Sequence, residues 1–153
     1  MTIDAKLAEL GLELPPAPAP VAAYVPAVEH NNLLTLSGQL PFQDGELMTG
    51  RLGEDRDIEF GREAAKRCAL ALLAQIRQAV GSLDRVERIV KLGVFVNSAG
   101  TFTDQPRVAN GASELMVAVF GDAGRHARSA VGVPVLPLGA VVEIDAVIAL
   151  KPV

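Results

Sequence analysis

An apolar stripe along residues 58–80 constrains the fold of this chain more than any other feature. Its members recur every four residues: Phe60, Ala64, Cys68, Leu72, Ile76 and Val80. This spacing predicts a long amphipathic helix over Ile58–Val80, with Asp57 as the N-cap and Gly81 at the C-terminal end. Such a helix is stable only when its stripe packs against a second layer, which the rest of the chain must supply.

The N-terminal part of the chain consists of a short segment at residues 1–14 and a proline-rich run at residues 15–20. Residues 1–14 carry leucines at helical spacing and predict a short helix. The sequence PPAPAP at 15–20 stops regular hydrogen bonding and favours polyproline II, as in an extended surface connector. We therefore expect an N-terminal extension with a proline-rich connector over residues 1–20 and a single domain over residues 21–153.

Two strands and a tight turn are expected next. Residues of Val21–Val28 and Leu33–Ser37 suit strands, and His30-Asn31-Asn32 between them predicts a turn, because asparagine tolerates left-handed backbone. Asp44-Gly45 predicts a second, tight turn.

The segment Ile89–Val96 predicts a buried strand. Val90, Leu92, Val94 and Val96 are expected on one face, and Ile89 and Phe95 on the other. Apolar residues on both faces indicate a central strand or a subunit interface.

A second helix and two strands complete the chain. The helix is predicted to begin near Pro106 and to end at Gly121, and strands are predicted at Ala127–Val133 and Ala140–Leu150. The order of elements predicts an α+β fold in which two helices pack on one face of a mixed β-sheet. The residues alone favour pairing the last two strands as a hairpin, which would bring Arg128 near Glu143.

Composition narrows the classes of partner. The net charge is −4 and no basic stripe is present, which disfavours nucleic acid. No apolar run approaches the roughly 20 residues needed to span a bilayer, and the first residues have no apolar signal region, so we expect a cytoplasmic protein. The single cysteine, Cys68, is expected to be a small buried apolar residue of the helix stripe.

Familiar catalytic motifs are missing from the sequence. It has no phosphate loop, no dinucleotide fingerprint and no metal-spaced cluster of histidine or cysteine. His30 and His126 are far apart in sequence, which disfavours a Cys–His or Ser–His pair. We expect a site without metal or cofactor, built from arginine, glutamate, hydroxyl groups and backbone amides.

Arg128 is the strongest single candidate. It lies in the strand-like segment ARSAVGV, on one face with Ala130 and Gly132, whose small size leaves room for a ligand. A guanidinium can bind a carboxylate through two parallel hydrogen bonds. The alternative is an arginine that is solvated or paired with an acidic neighbour.

Glu143 interrupts the apolar strand VVEIDAVIAL, and half-burial would raise its pKa towards acid–base use. Asp145 on the same face supports the alternative, an ordinary polar strand face. Tyr24, Ser37, Gly38 and Asn110 are weaker candidates, since each also has a plain structural interpretation.

Three motifs together resemble the reactive intermediate deaminase family (RidA, also called YjgF). They are Tyr24 with LLTLSGQLP at 33–41, VFVNSAGTFTDQPRVANGASEL at 94–115, and ARSAVGVPVLPLGAVVEIDAV at 127–147. The third is the most specific, because Arg128, Leu136-Pro137 and Glu143 fall at the family's spacing.

The resemblance implies a chorismate-mutase-like fold, a homotrimer and sites at the subunit interfaces, without cofactor. It implies that Arg128 holds a substrate carboxylate, that the backbone of Ala130 faces an imine nitrogen and that Glu143 positions water. Tyr24, Ser37, Gly38 and Asn110 would line the same pocket. The strand Ile89–Val96 would lie between the last two strands, in place of the hairpin.

The resemblance further implies hydrolysis of reactive 2-imino or enamine acids to 2-keto acids and ammonia. The alternatives are a trimeric protein that binds 2-keto acids or related carboxylates without turnover and, disfavoured by charge, an endoribonuclease or translation inhibitor. The sequence departs from the family around the pocket: Ala130 stands where cysteine is usual, and Ser113 where a helix tyrosine is usual. The segment between Phe102 and Asn110 is longer than usual, and Ala22-Ala23 replaces the usual Gly-Pro before the tyrosine.

Overall fold

The computed structural model describes residues 1–17 and 23–153. Helix α1 spans Ile3–Glu9, and the Thr2 side chain caps it by accepting a hydrogen bond from the backbone N–H of Ala5. Leu7 of α1 is buried in the main core, which anchors this segment to the rest of the fold. The predicted proline-rich connector includes residues 18–20, which lie outside the described residues.

The first strand pair forms a hairpin. Strand β1 spans Ala27–His30 and β2 spans Leu33–Gln39. Asn31 and Asn32 have φ values of 53° and 60°, as a tight hairpin turn requires. The strand predicted at Val21–Val28 was therefore misplaced: pairing starts at Ala27, the first residue opposite β2, and includes His30. Residues 21 and 22 of that prediction lie outside the described part of the chain.

The predicted tight turn and long helix are confirmed. Strands β3 (Phe42–Gln43) and β4 (Glu46–Leu47) join through Asp44-Gly45, both at positive φ. Helix α2 spans Ile58–Val80, begins with the Asp57 side chain accepting from the backbone N–H of Phe60 at 2.9 Å, and ends at Gly81 with φ 86°. Cys68 is fully buried on its apolar stripe, and this burial raises the pKa of the thiol well above its usual value.

Strand β5 spans Val86–Asn97. Ile89, Leu92, Val94 and Val96 are all buried, whereas Val90 is 38% exposed. The prediction placed Ile89 and Leu92 on opposite faces. It was wrong because the pairing shifts register between Ile89 and Lys91, and strict alternation is lost there.

Helix α3 spans Gln105–Phe120, with Pro106 in its first turn and Gly121 at its end, as predicted. Strands β6 (Ala127–Val133) and β7 (Val142–Leu150) follow. The sheet order is β1-β2-β7-β5-β6, and β5 pairs parallel with β6 and antiparallel with β7. The β6–β7 hairpin favoured by the residues alone was wrong: it would have left the largely apolar β5 at an edge. The central position implied by the family resemblance is confirmed.

Helices α2 and α3 pack on one face of the sheet and against each other, and the main core lies between these layers. The two helices approach closely at Gly111 of α3, where a Cβ would overlap the backbone carbonyl of Arg62 in α2. The other face of the sheet, here called the open face, carries partly or fully exposed residues. No helix of the described residues is long and apolar enough to cross a membrane.

Candidate active site

Arg128 lies on the helix-facing side of the edge strand β6. Its cross-strand neighbour is Leu92, which is fully buried beneath the helices, and Ala130 follows on the same face opposite Val94. Arg128 is consequently half-buried between β6 and α3.

The guanidinium of Arg128 is held through one nitrogen by two neutral oxygens of α3. Its Nη1 donates to Asn110 Oδ1 at 2.8 Å and to Ser113 Oγ at 3.1 Å. Asn110 and Ser113 are three residues apart and therefore project from one face of the helix. No carboxylate of the described residues lies within 4.0 Å of Arg128. An arginine with two hydrogen bonds to neutral groups keeps its Nε–Nη2 edge for an anion.

His126 contacts the same serine hydroxyl as Arg128. Its Nε2 lies 2.8 Å from Ser113 Oγ, and its Nδ1 lies 2.6 Å from the carbonyl oxygen of Gly124. The distance of the histidines in sequence had disfavoured a Ser–His pair, but this contact forms because α3 packs against the start of β6. Burial lowers the pKa of His126; the hydrogen bond to the Gly124 carbonyl partly opposes this, and the nearby charge of Arg128 adds a smaller lowering.

Glu143 lies on the open face, in a cross-strand row with Phe95 of β5 and Val131 of β6. Its carboxylate also lies directly over Gly38, so closely that a Cβ there would overlap it. Burial, reinforced by the charge of Asp145, raises the pKa of Glu143 above its usual value. This is the direction expected from the half-buried strand pattern.

Ser37 and Tyr24 adjoin Gly38 at the end of β2. Ser37 Oγ donates to the carbonyl oxygen of Val25 at 2.8 Å, whereas the Tyr24 side chain is 58% exposed. The described residues Tyr24, Ser37 and Gly38 line a groove of about 700 Å³ that also runs along α2 at Arg67.

Within one chain the candidate residues form two separate groups. The Arg128 group comprises Arg128, Asn110, Ser113, His126 and Ala130, on the helix-facing side of the sheet. The Glu143 group comprises Glu143, Gly38, Ser37 and Tyr24, associated with the open face and the end of β2. Strand β5 lies between β6 and β7, so the fold of a single chain does not bring Arg128 and Glu143 together.

Two members of the Arg128 group were missed from the sequence. From the sequence, Ser113 is identified only as a replacement for the family's tyrosine, and His126 is not a candidate. The helical spacing of Asn110 and Ser113, and the two-residue strand spacing of His126 and Arg128, are the signals that could have found them.

Comparison with known proteins assigns the chain to a family. Residues 4–149 match the family profile described as "YjgF/chorismate_mutase-like, putative endoribonuclease". The match begins before Tyr24, the first residue of the three sequence motifs.

Three proteins illustrate the range of relatives. Protein TCP17 of Trypanosoma cruzi is 52% identical over 97% of this chain and 94% of its own length. A protein of Dermatophagoides farinae named 2-iminobutanoate/2-iminopropanoate deaminase is 28% identical over 92% of this chain and 95% of its own. The crystal structure of Atu1372 from Agrobacterium tumefaciens superimposes with a TM-score of 0.91 at 45% identity, covering 97% of this chain and 92% of the other. With its mixed sheet, its helices on one face and this set of relatives, the chain belongs to the YjgF/RutC/RidA family.

Proposed function

We propose that this protein hydrolyses reactive 2-imino and enamine acids to 2-keto acids and ammonia, without a cofactor. The observation that carries the proposal is the Arg128 guanidinium, which is held by Asn110 and Ser113 and keeps one edge for a carboxylate. The relative of Dermatophagoides farinae that is named an iminobutanoate and iminopropanoate deaminase supports the same substrate class.

Substrate binding would rest on Arg128. A 2-imino acid carries a carboxylate beside its C=N bond, and the free Nε–Nη2 edge can bind that carboxylate with two parallel hydrogen bonds. Ala130 follows Arg128 on the same strand face, opposite Val94. Its backbone would then polarise the imine nitrogen next to the bound carboxylate.

Glu143 would direct the attack of water. A carboxylate held in a partly desolvated site accepts a proton from water more readily than one in bulk solvent, and its raised pKa favours this use. Water adds to the imine carbon, and the resulting carbinolamine loses ammonia as its C–N bond breaks. The products are a 2-keto acid and ammonia.

A second copy of the chain has to complete this site, because Arg128 and Glu143 lie in separate groups of one subunit. We propose a homotrimer in which the Arg128 group of one subunit meets the Glu143 group of the next. The open face supports this assembly: Val131 is 46% exposed and Leu33 is 45% exposed, and closed cyclic symmetry would cover such residues.

A trimeric protein that binds 2-keto acids without turnover is the alternative, since the Arg128 group alone suffices to bind an anion. Keto-acid release from freshly generated 2-iminopropanoate and 2-iminobutyrate, with and without protein, separates the two. Acceleration by the parent and its loss in Arg128→Ala support the deaminase. Keto-acid binding through Arg128 without acceleration supports the binding protein. If Arg128→Ala keeps both imine hydrolysis and keto-acid binding, the deaminase and the binding-protein hypotheses are both refuted.

A further inference from the structure

Ser113 Oγ lies within hydrogen-bonding distance of two side chains, the imidazole of His126 and the guanidinium of Arg128. It lies 2.8 Å from His126 Nε2 and 3.1 Å from Arg128 Nη1. Arg128 can only donate, so this hydrogen bond uses a lone pair of Ser113. The direction of the other contact depends on which nitrogen of His126 carries the proton.

The Gly124 carbonyl determines that tautomer. Its oxygen lies 2.6 Å from His126 Nδ1 and can only accept, so Nδ1 carries the proton and the Nε2 of the neutral ring is an acceptor. The Ser113 hydroxyl hydrogen therefore points to Nε2, and its lone pairs point to Arg128. Each of the three hydrogen bonds that link Arg128 Nη1, Ser113, His126 and the Gly124 carbonyl then has one donor and one acceptor.

The consequence concerns the orientation of the guanidinium. Both hydrogens of Nη1 are occupied, one by Ser113 and one by Asn110 Oδ1 at 2.8 Å. Rotation of the guanidinium would break both contacts. Bidentate binding of a carboxylate requires the opposite edge in a fixed plane, so orientation of Arg128 contributes directly to affinity.

We propose that His126 is a positioning residue for the anion site: through the Ser113 hydroxyl it fixes the plane in which Arg128 binds the carboxylate of a 2-imino or 2-keto acid. This inference rests on the proposed function for the identity of the ligand. Ser113 and His126 also form a Ser–His pair, but the hydrogen bond that Arg128 donates to the serine oxygen makes this oxygen a weaker nucleophile. Positioning is therefore the better account of the pair.

The test uses Ser113→Ala, Ser113→Thr, His126→Ala and the double variant Ser113→Ala/His126→Ala, each at the same oligomeric mass as the parent. His30→Ala, at the exposed end of β1, is the matched histidine control. Calorimetry gives the Kd of pyruvate, and imine hydrolysis gives kcat and KM. Ser113→Ala and His126→Ala should each weaken pyruvate binding about tenfold and raise KM similarly, with little change in kcat.

Two comparisons separate positioning from a general structural role. The double variant should bind pyruvate no more weakly than Ser113→Ala alone, because His126 acts through Ser113. Ser113→Thr, which keeps the hydroxyl, should retain parental affinity, and so should His30→Ala. Additive losses in the double variant would overturn the proposal. A fall in kcat at unchanged KM, with covalent labelling of Ser113 by a fluorophosphonate, would show a nucleophile instead.

A readout without ligand keeps this inference distinct from the proposed function. Rotation of the Arg128 Nη1 group, measured by ¹⁵N NMR, should be slow in the parent and in Ser113→Thr and fast in His126→Ala and Ser113→Ala. If pyruvate binding is absent or insensitive to Arg128→Ala, the proposed function fails. The rotation data still show whether His126 and Ser113 fix the Arg128 guanidinium. If Arg128→Ala abolishes binding but neither Ser113→Ala nor His126→Ala alters affinity or rotation, the inference alone fails.

Discussion

Glu143 lies over Gly38 so closely that its carboxylate occupies the place a Cβ at position 38 would take. The two residues come from neighbouring strands, β7 and β2, next to the register shift in their pairing. The missing side chain at Gly38 thus makes room for the carboxylate.

Gly38→Ala should displace this carboxylate at little expense to folding. Glu143 is flexible at the atoms that clash, and Gly38 does not have the positive φ that would strain an alanine. We expect imine turnover to fall about tenfold to a hundredfold, with keto-acid binding retained. Gly100→Ala, where nothing lies within 4 Å of the added Cβ, is the matched control and should behave like the parent. Parental turnover in Gly38→Ala would contradict the assignment of Glu143 to the reaction.

Arg128 and Glu143 variants should fail differently. Arg128→Lys keeps the charge but loses the planar fork, so keto-acid binding should weaken by roughly 1.5–3 kcal/mol, and Arg128→Ala should bind almost none. Glu143→Gln should still bind pyruvate while imine turnover falls sharply. Calorimetry and hydrolysis rates on proteins of confirmed mass measure both effects. Undiminished turnover in Glu143→Gln would make Glu143 a polar strand residue only.

The stability of the protein should depend on the ionisation of Glu143. Its pKa is raised by burial and by Asp145. A carboxyl with a raised pKa contributes stability below the pKa of the unfolded chain, and this contribution is lost as the pH rises through the folded-state pKa. Glu143→Gln, which is always neutral, should therefore melt a few degrees above the parent near neutral pH. The difference should disappear below about pH 4, the ordinary range of glutamate. Melting curves of both proteins over this pH range measure the difference. A higher melting temperature of Glu143→Gln that does not change with pH would contradict burial of the Glu143 charge.

The proposed trimer should be sensitive to charge on the open face. Val131→Asp places a carboxylate in the row of Phe95 and Glu143, where burial against another subunit would be unfavourable. We expect a folded monomer without imine turnover, because the Arg128 and Glu143 groups can no longer meet. Leu10→Asp, a 39% exposed apolar residue after α1, is the control and should keep the parental mass. A monomeric parent by light scattering at micromolar concentration would remove the intersubunit site.

Local patterns in the sequence predicted the helices well, because caps and stripes are properties of adjacent residues. Asp57, the stripe to Val80 and Gly81 specify α2 on their own, and the structure has the predicted bounds. The faces and the order of the strands were predicted less accurately. The misplaced Ile89 followed from the register shift in β5. The hairpin expected between β6 and β7 was wrong because β5 lies between them, paired parallel to β6 through the α3 connection.

The candidate site also has a part that the sequence shows and a part that only the fold shows. Arg128 and Glu143 are visible in the sequence because each interrupts an apolar or small-residue strand. The Ser113–His126 contact is not visible there, since it depends on how α3 returns to the start of β6. Nor does the sequence show that Arg128 and Glu143 face opposite sides of the sheet, because that follows from the register on either side of β5.

The close packing at Gly111 carries a consequence for how new specificities can arise in this scaffold. The residue that lets α3 rest on the α2 backbone directly follows Asn110 and precedes Ser113 by two positions. Helix placement and support of the Arg128 guanidinium are thus carried by separate but interleaved positions of one turn. Side chains at 110 and 113 can be exchanged, and the orientation of Arg128 changed with them, while position 111 keeps the helix in place. An enlarged residue at 111 would instead shift both contacts of α3 with Arg128 at once, so adaptation by small steps must run through its neighbours.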